Sequence, residues 1–136
     1  MGKRIMLVAG EASGDALGGP LMAALTEQSS EQPEFIGVGG SAMTAEGMAS
    51  LFPISDLSVM GLAEILPRLR LIFRRMKQTE TLARETRPDI IITIDSPGFN
   101  FRLGKRLKYL GIPLVHYVAP TVWAWKPGRA KKIAQF

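Results

Sequence analysis

Four short apolar runs, each closed by a turn and followed by a stretch with helical character, decide most of what this chain can become. Ile5 to Ala9 (IMLVA) ends at Gly10. Phe35 to Val38 ends at Gly39-Gly40. Asp89 to Asp95 (DIIITID) ends at Ser96-Pro97, and Leu114 to Val118 stops before Pro120. Runs so short and so continuously apolar suit strands buried on both faces. DIIITID is the clearest, because its core residues are β-branched. Between the runs, Leu17, Leu21, Met22 and Leu25 give a helix over Asp15 to Leu25. Phe101 to Tyr109 reads as a helix stopped by Gly111, and a last helix starts near Pro127. Ser41 is placed to cap a short helix, and Ser50 to Pro53 is a weaker strand.

The longest helical stripe runs through Leu62, Ile65, Leu66, Leu69, Ile72, Phe73 and Met76. Pro67 lacks a backbone donor and its ring clashes with the preceding turn. A short helix to about Leu66 is therefore expected, then a longer one with Pro67 at its first position, ending near Thr86. The strand–helix alternation predicts one α/β unit over residues 1–136, a Rossmann-like parallel sheet with helices on both faces.

Composition removes several chemistries. With no Cys, disulfides, thiolate zinc sites and thiol nucleophiles are excluded, and a single His excludes a multi-histidine metal site. The net charge of +5 is unevenly spread. Residues 1–64 sum to −6 and residues 65–136 to +11. The basic half suits phosphate, nucleic acid or an anionic membrane surface; a merely solubilising face is the plain alternative. Ile5 to Ala9 is too short for a signal-peptide core, and Met6 stands where a myristoylation motif needs Ser or Thr. The uncharged stretch Tyr109 to Trp125 is broken by Gly111, Pro113 and Pro120, which argues against a spanning helix.

In an open parallel sheet, ligands bind outside the carboxyl ends of the strands. Four motifs fall there. Gly10-Glu11-Ala12-Ser13-Gly14-Asp15 is either a close-approach loop for an anion or sugar, or a tight turn with Ser13 or Asp15 as helix cap. Gly37-Val38-Gly39-Gly40 is either a second close-approach loop or a plain connecting one. Ile94-Asp95-Ser96-Pro97-Gly98-Phe99-Asn100 puts a carboxylate at a strand end, as a candidate general base or an ordinary cap. His116 to Trp125 (HYVAPTVWAW) sets Trp123 and Trp125 beyond a strand, for a ligand or for the core. His116 itself reads as a structural hydrogen-bonding residue. Arg68, Arg70, Arg74, Arg75 and Lys77 flank the long apolar stripe, which suits a membrane surface or a solvated helix face.

In this order, GEASGD, GVGG, VMGLAEIL, IDSPGFN and HYVAPTVWAW resemble the amino-terminal part of the lipid-A-disaccharide synthase family, over about Ile5 to Lys132. The resemblance implies an inverting glycosyltransferase of the two-Rossmann-domain (GT-B) type that needs no metal or other cofactor. It implies joining UDP-2,3-diacylglucosamine to 2,3-diacylglucosamine 1-phosphate, giving the lipid A disaccharide 1-phosphate and UDP, at the cytoplasmic face of the inner membrane. It assigns Asp95 as general base, Gly14, Asp15, Asn100 and Trp123 to substrate, and Met60, Leu62, Leu66, Leu69, Phe73, Arg68 and Arg70 to lipid. An acidic residue is expected where Gly98 stands. The resembled enzymes continue into a second domain that grips the UDP-sugar, so residues 1–136 are expected to hold half a cleft and to be inactive alone. Two rivals are kept: a non-catalytic Rossmann-like module for nucleotide or phosphate, and a nucleic-acid-binding domain. The second is disfavoured because the basic residues interleave with an apolar stripe and carry no nucleic-acid motif.

Overall fold

A computed structural model of the chain describes residues 2–57 and 65–117, without the side chains of 65–67. The four apolar runs form β1 (Arg4–Ala9), β2 (Glu34–Val38), β3 (Ile90–Ile94) and β4 (Leu114–Tyr117). They pair in parallel in the order β2-β1-β3-β4. Helix α1 (Ala12–Gln28) lies between β1 and β2, and α2 (Ser41–Ala45) follows β2. Helix α3 (Ile65–Thr86) precedes β3, and α4 (Pro97–Leu107) leads toward β4.

Alternation along β1 divides the core in two. Ile5, Leu7 and Ala9, with Ile92 and Ile94, pack on Met22 of α1 and Met43 of α2. Met6, Val8 and Ile91 pack on Met76 and Ala83 of α3 and on Leu103 and Leu107 of α4. Helices therefore cover both faces, as the alternation predicts. Side chains such as Leu103, with no exposed surface, are the kind whose truncation to Ala costs about 2–5 kcal/mol.

From β1 the chain goes outward to β2, then returns past β1 to reach β3. Strand order thus reverses between β1 and β3, and in open parallel sheets it is outside the carboxyl ends of such a pair that a ligand crevice is expected. Ala9 pairs with Ile94, so the two strands finish in step.

Several expectations change in detail. The buried side of α1 carries Gly14, Asp15, Gly18, Gly19 and Met22, while Leu17, Leu21 and Leu25 are only partly buried. A Cβ at Gly18 would meet the Met43 sulfur at 2.5 Å, so α2 lies directly against α1. Ser41 does not cap α2. Gly40 is the N-cap residue, with no side-chain cap of its own. Ser50 to Pro53 gives one bridge, Gly37 to Ser50, and no strand. Ile65, Leu66 and Pro67 share one helix, so the expected boundary at Pro67 is absent. Helix α4 starts at Pro97, which makes Gly98 to Asn100 helical. The helical piece expected from Leu62 and the last helix near Pro127 lie outside the described residues.

Candidate functional site

At the end of β3 the backbone turns sharply. Asp95 and Ser96 both have positive φ, at 53° and 44°. For residues with a Cβ this left-handed conformation costs about 1–2 kcal/mol each, so something must hold it. Asn100, in the first turn of α4 and fully buried, does so. Its side-chain amide donates to the carbonyls of Asp95 (2.8 Å), Ile94 (3.1 Å) and Val8 (3.3 Å). Its backbone N–H donates to the Ser96 carbonyl at 2.9 Å. The price is an Oδ1 with no partner among the described residues, worth about 1–3 kcal/mol when buried. Ser96 is 6% exposed and its hydroxyl is also unmatched among the described residues.

This turn presents Asp95 at the strand-order reversal, partly buried. The Asp95 N–H continues the sheet to the Tyr117 carbonyl at 3.1 Å. Ser13, exposed in the first turn of α1, donates its hydroxyl to Asp95 Oδ2 at 2.8 Å. Oδ1 has no hydrogen-bond partner among the described residues. A half-buried carboxylate with one oxygen held and the other available can accept a proton from a hydroxyl brought into the crevice. Sequence reasoning treated Ser13 only as a possible cap. The glycine beside it was the usable signal. A Cβ at Gly14 would come 3.0 Å from the Ile94 carbonyl and 3.2 Å from the Ala9 Cβ. The first turn of α1 therefore rests on the ends of both central strands.

Asp15 is placed differently. It is 7% exposed and turns inward. Its carboxylate accepts the N–H groups of Gly40 (2.8 Å), Ala42 (3.0 Å) and Met43 (3.0 Å), and so caps α2 from α1. Gly40 makes room, since a Cβ there would lie 2.9 Å from the Asp15 carboxyl carbon. The structure thus uses Gly14 and Asp15 as packing and capping residues next to the turn that carries Asp95 and Asn100. His116 bonds Thr93 through Nδ1 at 2.8 Å and meets the Phe101 ring edge-on, the structural part expected of it. Trp123, Met60 and Leu62 lie outside the described residues, as does the side chain of Leu66.

A few residues along α4 from Asp95, an apolar groove of about 270 Å³ lies between α3 and α4, bounded by Leu69, Phe73, Met76, Gly98, Phe99 and Arg102, among others. Among the described residues, no atom of a neighbouring element lies within 4 Å of a Cβ placed at Gly98. Along the α3 stripe, Met76 is buried at 2%, whereas Leu69 is 36% and Phe73 47% exposed. Arg70 is exposed and Arg68 partly so. Arg75 pairs with Asp56 at 2.8 Å and ties α3 to the turn at Ile54–Leu57. No group of acidic or histidine side chains suited to a metal ion occurs among the described residues.

A family model described as lipid-A-disaccharide synthetase matches residues 5–136. A lipid-A-disaccharide synthase of Rhodospirillum centenum is 54% identical over 134 residues, covering 97% of this chain and 33% of the relative. One from Paramagnetospirillum magneticum is 56% identical over 133 residues, covering 96% of this chain and 34% of the relative. The chain therefore spans about a third of the length of these relatives. Among solved structures, a UDP-GlcNAc 2-epimerase from Neisseria meningitidis bound to UDP-GlcNAc is similar with a TM-score of 0.61. Its identity is 12%, and the match covers 96% of this chain and 36% of that one. That likeness is one of fold.

Proposed function

Because the chain belongs to the lipid-A-disaccharide synthetase family, we propose that residues 1–136 form the acceptor side of an inverting GT-B glycosyltransferase. The reaction joins UDP-2,3-diacylglucosamine to 2,3-diacylglucosamine 1-phosphate. The observation that carries this reading is Asp95, a partly buried carboxylate at the β1–β3 crevice with Oδ1 unpartnered among the described residues. Oδ1 takes the proton of the acceptor's 6-hydroxyl. The hydroxyl oxygen attacks the anomeric carbon from the face opposite UDP, the new C–O bond forms, and UDP leaves with the electrons of the bond it gives up. The anomeric centre inverts. Asn100 holds the turn that presents Asp95, Gly14 and Asp15 fix α1 and α2 beside it, and the family resemblance assigns Trp123 to substrate. No step requires a metal.

Lipid contact falls to the exposed start of α3. Leu69 and Phe73 present apolar surface beside Arg68 and Arg70, a pattern that suits acyl chains below and anionic headgroups around them. The family resemblance assigns Met60, Leu62 and Leu66 to the same lipid contact. No helix of the described residues is long and apolar enough to cross a membrane, and peripheral binding at the cytoplasmic face of the inner membrane fits the substrates. The UDP-sugar is gripped mainly by the length of the relatives that this chain does not span.

The test joins residues 1–136 to the remainder of the Rhodospirillum centenum relative and measures UDP release from the two lipid substrates. The joined protein is expected to turn over, and the 136-residue chain alone is expected not to. Asp95→Ala in the joined protein should abolish turnover while sugar-nucleotide binding persists. Full activity of that variant would remove Asp95 as base. Binding without turnover in the parent would favour a non-catalytic nucleotide or phosphate module, and tight RNA binding without vesicle binding would favour a nucleic-acid partner.

A further inference from the structure

We infer that Ser13 is a positioning residue for Asp95, fixing which carboxylate oxygen takes the proton; this rests on the reading of Asp95 as base. Ser13 does not serve its own helix. The N-cap of α1 is Glu11, and no side-chain cap bond is made there. Ser13 instead sends its hydroxyl to Asp95 Oδ2, 82 positions away, at 2.8 Å. A free carboxylate spins about its terminal torsion among broad wells. One hydroxyl on Oδ2 stops that rotation and leaves Oδ1 as the acceptor.

Three other features converge on the same contact. Gly14 lets α1 settle to within a Cβ's width of the Ile94 carbonyl and Ala9, so the hydroxyl can reach. The left-handed pair Asp95-Ser96 aims the carboxylate across the crevice toward α1. Asn100 pins the Asp95 and Val8 carbonyls, and so holds the ends of β3 and β1 together beneath the contact. Backbone on one side and side chain on the other are thus both fixed, as a base in a proton transfer needs when small misplacements are expensive.

The first measurement uses the 136-residue chain, with the Asp95 carboxyl carbon followed by NMR. Ser13→Ala should shift that resonance and Ser13→Thr, which keeps the hydroxyl, should leave it near the parent. An unmoved resonance in Ser13→Ala overturns the contact. The second uses the joined full-length protein. Ser13→Ala should lower kcat about tenfold with KM for both substrates unchanged, and Ser13→Thr should restore most of it. A rise in KM at constant kcat, or an unaffected kcat, overturns the inference. Asp95→Asn runs beside these variants. If it is inactive while Ser13→Ala is normal, only the positioning role fails. If Asp95→Asn is fully active, the base assignment fails and the inference with it. Thermal unfolding of each variant separates a lost contact from a lost fold.

Discussion

Asp15 and Asp95 are the same residue type at the same end of the sheet, and they have opposite fates. Asp15 sits among three amides that take both its oxygens and leave it 7% exposed. Asp95 receives one hydroxyl on Oδ2, and its Oδ1 has no partner among the described residues. The difference is one of supply. A helix start offers several free N–H groups, and α2 spends its own on Asp15. The turn after β3 leads into Pro97, which has no N–H to give. A saturated carboxylate holds structure together. An unsaturated one, half in solvent, is left able to react.

That contrast can be broken in graded steps. The largest effect belongs to Asp95→Asn in the joined full-length protein, where kcat should fall about a thousandfold, or about 4 kcal/mol in barrier, with unfolding unchanged. Asp15→Ala should do the reverse. Urea unfolding should show a loss of about 3 kcal/mol, because the amides of Gly40, Ala42 and Met43 lose a charged acceptor. If Asp15→Ala lowers kcat strongly at full stability, the two residues are not the opposites described. Asn100→Ala lies between them. Freeing the Asp95 turn should cost about 2 kcal/mol in stability, with a drop in kcat that Asn100→Gln does not fully repair. The smallest effect is at Phe73→Ser, which should weaken binding to anionic vesicles by about 1–2 kcal/mol. It should leave the melting temperature alone, since the ring is 47% exposed.

How far the sequence could be read follows from the range of each interaction. IMLVA and DIIITID announce themselves because a strand buried on both faces needs nothing but its own apolar residues. Asp95 at the end of such a strand is legible for the same reason. Helix α1 was harder, since its buried stripe is built of glycines, and a missing side chain leaves no hydrophobic signal. The joining of Asp15 to α2 depends on how closely those glycines let α2 approach. The Ser13–Asp95 contact depends on β1 lying next to β3, a choice of strand order that no local pattern announces. At Pro67 the local chemistry points to a helix boundary, whereas α3 runs through it. Met60, Leu62 and Trp123 lie outside the described residues, as does the side chain of Leu66, so their expected roles stay with the proposal.

The matched finish of β1 and β3, with Ala9 across from Ile94, has a consequence for how such a protein can vary. Moving either strand along the other by a single residue would swing its side chains to the opposite layer. The sheet could still hold together while the serine and the aspartate parted company. Insertions and deletions are therefore best tolerated in the connections at the far, amino-terminal edge, such as Ser29 to Pro33. Inside IMLVA or IIITI even one added residue should silence the chemistry before it unfolds the chain.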